Sequence, residues 1–231
     1  MMRRLILPLI LGLVGAAILI SLGNWQLRRL AEKEAYLAEV EALIGATPVA
    51  LPAVPDPVVD RFLPVTVSGR FTGVTVRVLV SHKKMGAGYR LITALETDAG
   101  RRILVDRGFI RVATPLPDLP EGTVEVTGNL HWPQERDGYT PDNDLNENIW
   151  FAREVPVLAD HLKTEEVMVI ARATSFTDLG VTPLAVGTEG IPNDHLEYVV
   201  TWYGLAAVWL AMLGLFLWRM YKSARNPLKE T

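Results

Sequence analysis

The chain has 231 residues, no cysteine and a formal net charge of −3, and hydrophobic residues make up 49% of it. Without thiols it has no disulfides, no thiolate-held zinc, copper or iron–sulfur centre, and no thioether attachment for a c-type haem. Of its 23 Lys and Arg, 17 lie within residues 24–198, together with 25 of its 26 Asp and Glu; that region carries −8, which argues against nucleic acid as a partner.

From Leu5 to Gly23 there are 19 consecutive residues without Asp, Glu, Lys or Arg, and from Val199 to Trp218 another 20. At about 1.5 Å per residue each run covers roughly 28–30 Å, the thickness of a bilayer's hydrocarbon core. Arg3 and Arg4 precede the first run, and Arg219, Lys222, Arg225 and Lys229 follow the second. The positive-inside rule then predicts membrane helices at 5–23 and 199–218, with cytoplasmic ends at 1–4 and 219–231 and residues 24–198 outside. Arg28, Arg29 and Lys33 run against that rule, but Glu32 and Glu34 are interleaved with them, and long domains translocate largely regardless of charge. The first run is longer than a signal peptide's apolar stretch, and no small-x-small site precedes Trp25, so it reads as an uncleaved anchor. No Arg/Ser-rich presequence precedes it, which favours a bacterial inner membrane and a periplasmic central domain.

Beyond Gly23 the apolar residues become periodic. Leu27, Leu30, Ala31, Leu37, Val40 and Leu43, with charges between them, predict a helix over Asn24–Ile44 that continues the first span and stops at Gly45. Thr47–Pro57 contains four prolines and reads as an extended linker. Strands are predicted at Pro64–Gly69, Val74–Val80, Arg90–Thr97, Arg102–Asp106, Phe109–Val112, Thr123–Leu130 and Val167–Ala173, with a hairpin turn at Asp98-Ala99-Gly100. Glu154–Leu162 suits a short helix, and Asp137–Asn148 a polar loop. With no strand–helix–strand alternation, antiparallel pairing is expected. The fold class is therefore an α+β membrane protein: two transmembrane helices flanking an antiparallel β-rich domain, barrel- or sandwich-like.

Four histidines are present. His82, His131 and His161 have no partner at metal-ligand spacing and read as structural. His195 differs by position. On a helix starting near Asn193, residues 195, 198, 199 and 202 share a face, placing an imidazole beside Tyr198 and Trp202 where the second span meets water. The aromatics suit a ligand pocket and equally an interfacial belt, but a belt does not account for the histidine. Trp25 and Gln26 lie at the same boundary of the first span, followed by Arg28 and Arg29. Such a cleft suits a large amphipathic ligand with anionic ends, as a haem has in its propionates; the arginines suit lipid phosphates equally well. In the middle domain, Asp106 and Arg107 read as a local charge pair, and Gly108 as a point of close backbone approach. No Ser–His–Asp spacing, phosphate-cradling loop or carboxylate pair stands out, so no enzyme is expected.

Three elements resemble one known family, the surfeit-locus (Shy-type) cytochrome c oxidase assembly proteins. Leu22-Gly23-Asn24-Trp25-Gln26-Leu27-Arg28-Arg29 resembles its L-G-x-W-Q-x-x-R signature, and Leu104-Val105-Asp106-Arg107-Gly108-Phe109 its V-N-R-G-W element. Asn193-Asp194-His195-Leu196-Glu197-Tyr198 followed by Thr201-Trp202-Tyr203 resembles its N-x-H-x-x-Y-A-x-x-W-F segment. Asp106, Phe109, Val199 and Tyr203 stand where the family usually has Asn, Trp, Ala and Phe. The resemblance implies an assembly factor for haem-copper (aa3-type) oxidases that binds haem a as cargo and helps supply it to oxidase subunit I. It makes His195 the candidate axial ligand of the haem iron, with Trp25, Gln26, Arg28, Arg29, Tyr198 and Trp202 around the cargo. The outer domain is then expected to dock subunit I or the haem a synthase, and a site with one histidine invites a homo-oligomer. The alternative is a scaffold chaperone that stabilises apo-subunit I without touching haem.

Overall fold

The computed structural model describes residues 2–188 and 191–225, so part of the two expected cytoplasmic ends, Lys229 included, lies outside them. In chain order the elements are α1 (Met2–Ile44), β1 (Val49–Ala50), β2 (Pro64–His82), β3 (Gly86–Thr97), β4 (Arg102–Arg111), β5 (Val124–Leu130), β6 (Ile149–Trp150), α2 (Val155–Leu162), β7 (Met168–Thr174) and α3 (His195–Arg225). They form two compact units: residues 1–39 with 189–231, and residues 40–188.

The first unit is a helical pair. Within α1, Ile6–Ile44 is long and apolar enough to cross a membrane, as is His195–Ser223 of α3, with mean hydropathies of 2.5 and 1.8 in their most apolar windows. The helices are antiparallel: Gly12 packs on Leu213, Gly15 on Trp209 and Gly23 on Tyr203. Along α1 the buried positions include Gly12, Ala16, Gly23 and Gln26, with Leu19 half-buried between them; along α3 the shielded positions include Val199, Trp202, Ala206 and Leu213. Their alternation by four and three residues is the spacing of a left-handed helical seam. Between apolar helices in lipid, association rests on close packing, which small residues permit. A Cβ on Gly12 would come within 2.4 Å of the Leu213 side chain, which would have to move aside to admit it. The indole of Trp209 also donates to the Gly12 carbonyl at 2.8 Å.

In the second unit five strands form a circuit of hydrogen-bonded neighbours, β2–β3–β4–β7–β5 and back to β2. The long β2 changes partner along its length, pairing with β5 over Pro64–Gly69 and with β3 over Gly69–His82. Its inward positions shift from odd (Val65, Val67, Phe71) to even (Val76, Val78) across a bulge between Thr72 and Val76. One strand thereby serves two cores. The first contains Leu95, Ile103, Val105, Val126, Leu130 and Val169; the second is covered by α2 through Val155, Leu158, Ala159 and Leu162.

The sheet is mixed, which corrects the antiparallel expectation. β4 pairs with β7 in parallel, and the two-residue strands β1 and β6 each pair with β2 in parallel. The chain between β4 and β7 holds β5, β6 and α2 and is long enough to bring β7 back in the direction of β4. The α1 terminus belongs to this unit. The Ile44 carbonyl accepts from Asn129 Nδ2 and Arg172 Nη1, both at 3.0 Å, relieving one of the unpaired carbonyls that every helix end leaves.

Gly108 has φ 125°, and a Cβ there would lie 2.4 Å from the Thr182 carbonyl oxygen. Phe109 and Thr182 exchange both backbone hydrogen bonds at 2.8 Å, so the segment after β7 is laced onto β4 at that point. The close approach read from the sequence is thus present. Gly108→Ala is expected to cost about 1–3 kcal/mol, checked by denaturant unfolding of the full chain in detergent.

His131 stacks on Phe62 at a ring distance of 5.3 Å, and its Nδ1 is buried with no hydrogen-bond partner. Burial first, then the charges of Arg153 and Arg61, push the imidazole down to about 4, against an opposing pull from Glu135. Unfolded histidine titrates near 6.5, so between these values the unfolded chain binds the extra proton. Stability from neutral His131 is therefore complete above about pH 6.5 and lost as pH falls toward 4. Unfolding midpoints measured at pH 7 and pH 5 should differ, and His131→Phe should flatten that difference.

Candidate functional site: a histidine clasped between two helices

His195 opens α3, and its Nδ1 lies 2.8 Å from Oε1 of Gln26. Gln26 ends the buried seam of α1 at 8% exposure. A side-chain carbonyl oxygen only accepts, so Nδ1 is the donor, and in the neutral ring the Nε2 lone pair is left for another partner. Nε2 makes no hydrogen bond among the described residues. Just inside this contact, the Tyr203 hydroxyl donates to Asn24 Oδ1 at 2.6 Å. Two polar links therefore fix the helices' register at one end of the seam.

The other residues singled out by sequence are arranged around this pair with differing intimacy. Trp202 is half-buried, one seam step beyond Val199. Tyr198 turns outward at 52% exposure and Trp25 at 48%. Arg29 stands one turn from Gln26 on a similar bearing and pairs with Glu32 at 2.7 Å on the helix surface. Arg28 is exposed, points well round the helix from Gln26, and has no ion pair among the described residues. Sequence reasoning placed Gln26 around the cargo; in the fold its side-chain oxygen also meets His195. That reasoning passed over Asn24 and Tyr203. Tyr203 falls one place after Trp202, and only the antiparallel register of the seam brings it to Asn24.

A sequence model of the SURF1 family matches residues 13–207, which include most of α1, the whole strand-rich unit and the first part of α3. The chain belongs to the SURF1 family. It is 31% identical over 208 residues to a SURF1-like protein of Rickettsia felis, covering 84% of this chain and 89% of that protein. It is 32% identical over 211 residues to a SURF1-like protein of Monosiga brevicollis, covering 83% and 80%. With the human Surfeit locus protein 1 the identity is 31% over 211 residues, covering 81% of this chain and 70% of the relative.

In this SURF1 chain the Val105–Phe109 element is a structural knot. Asp106 and Arg107 do not pair with each other, because successive residues of a strand point to opposite faces. Asp106, fully buried, accepts from Arg90 Nε at 2.5 Å, from Arg153 Nη1 at 3.2 Å and from the Gly108 amide at 3.1 Å. Arg153 in turn forks onto Glu135; burial works against that carboxylate, yet the hydrogen bonds from Arg153 hold it below the usual carboxylate range. Arg107, on the other face, grips Asp178 at 2.6 and 2.7 Å beneath the Phe71 ring. Arg90 also donates to the Leu184 carbonyl at 2.8 Å, so Arg90 of β3 and Arg107 of β4 both hold the segment after β7. Asp106→Ala would leave two arginines sharing a site without their common counter-ion. Its expected cost is about 3–5 kcal/mol, read as a lowered denaturation midpoint with the helical content intact.

Proposed function

We propose that this chain is an assembly factor for haem-copper (aa3-type) cytochrome c oxidase, binding haem a through His195 and aiding its insertion into oxidase subunit I. Family membership supports the coarse role, an assembly factor rather than an enzyme. The observation that carries the finer reading is the imidazole itself: Nδ1 meets Oε1 of Gln26, and Nε2 has no partner among the described residues. An oriented neutral imidazole is the common protein ligand of haem iron. Among the described residues no three His, Cys, Asp or Glu side chains cluster to hold an ion. A lone histidine suits a metal whose other ligands come with a macrocycle. Arg28 and Arg29 lie within three residues of Gln26 and suit propionates. Trp25, Tyr198 and Trp202 offer aromatic surface to the apolar ring.

The setting is a bacterial inner membrane, crossed by α1 and α3. Antiparallel packing brings the start of α1 and the end of α3 to one side, and the basic flanks support assigning that side to the cytoplasm. The strand-rich unit is then periplasmic and presents the surface for oxidase subunit I or the haem a synthase, alone or as a homo-oligomer.

The test is an optical spectrum of detergent-purified protein made alongside the haem a biosynthesis enzymes, beside His195→Ala. The wild type is expected to carry a haem a band, and the variant at least tenfold less. Equal haem in both would remove His195 from the site. An empty wild type that still supports oxidase assembly would favour the scaffold role.

A further inference from the structure

Among the described residues of α1, Gln26 is the one buried polar side chain, in a seam that also holds Gly12, Ala16, the half-buried Leu19 and Gly23. The amide is not the only polar clip between the helices, since Trp209 to Gly12 and Tyr203 to Asn24 join them as well. What the amide does uniquely is accept from Nδ1 of His195 at 2.8 Å. We propose that Gln26 is a positioning residue that sets the strength of the bond His195 offers to haem iron, making it firm enough to load and weak enough to release. This rests on the reading of His195 as the ligand.

The argument is one of degree. The partner on the far nitrogen of a ligating histidine fixes ring orientation and tautomer and tunes ligand basicity. A carboxylate there pulls on the Nδ1 proton and gives the ring imidazolate character, which strengthens its bond to ferric iron. No acceptor at all leaves the ring free to turn and to place its proton on either nitrogen. A neutral amide lies between these limits: it fixes the geometry without the extra donation. A permanent haem enzyme gains from the strong form, whereas a carrier that must give up its cargo does not.

The experiment uses the full chain in detergent: wild type, Gln26→Leu, Gln26→Glu and His195→Ala, each titrated with haem a while absorption and reduction potential are followed. Gln26→Leu is expected to weaken binding roughly 10- to 100-fold and raise the potential. Gln26→Glu should lower the potential and slow the loss of haem a to excess apomyoglobin. Opposite shifts are the signature, because an amide that only clips helices gives shifts of one sign or none. In the haem-free protein, ring ¹⁵N shifts of His195 should show the proton on Nδ1 in the wild type and shared between the nitrogens in Gln26→Leu. Unchanged affinity and potential in both Gln26 variants, with His195→Ala empty, would overturn this proposal and leave the ligand standing. Haem a bound equally by all four proteins, or by none, would overturn the ligand assignment and the proposal together.

Discussion

A glutamine and a histidine at the end of an otherwise apolar helix seam must each find a hydrogen-bond partner, and each finds the other. The cost of leaving such a group unpaired grows as water is excluded, so the contact between Gln26 and His195 restricts how the helices can slide or rotate. Gly12, Ala16 and Gly23 let the backbones come close enough for the two side chains to meet. Bulkier residues in the seam would separate the clasp without touching it. The chemistry of the imidazole is therefore set by packing nearly the whole length of a helix away.

The strand-rich unit solves a different problem. It has no disulfides, so closure and burial hold it together. The alternation of β4 sends Ile103, Val105 and Arg107 to one face and Leu104 and Asp106 to the other. Each face ends in a charged group that is neutralised within the fold. Arg107 and Asp178 finish one side, and Asp106 with Arg90 and Arg153 the other. Both groups hold the segment that follows β7, which explains why two adjacent charged residues sit where apolar residues would otherwise continue the strand.

Much of this was readable in the chain. The two charge-free runs, the helix through Ile44 and the short helix before residue 162 leave patterns that one segment can carry alone. The strands were legible as segments but not as wholes. Pro64–Gly69 and Val74–Val80 look separate because the inward phase changes at the bulge between them, although the backbone pairing continues through it. β1 and β6, at two residues each, are too short to show alternation, and the parallel β4–β7 pair depends on where a long connection returns. At the site the gap is of the same kind. His195 stood out by its neighbours in sequence, but its partner lies 169 positions away, and only the register of two helices identifies it. Tyr198 was grouped with His195 on one helical face, yet the seam runs through Val199 and leaves Tyr198 outside.

The strand circuit also imposes an order in time. β7 sits between β4 and β5, so the ring of pairings stays open until Thr174 has been made and delivered. Only residues 175–194 then separate that last strand from the start of α3. A chain emerging from its N-terminus therefore cannot close the circuit until shortly before the second apolar helix is made, and long-range pairings of this sort form slowly. The last strand and the histidine-bearing helix are made within one brief interval of synthesis.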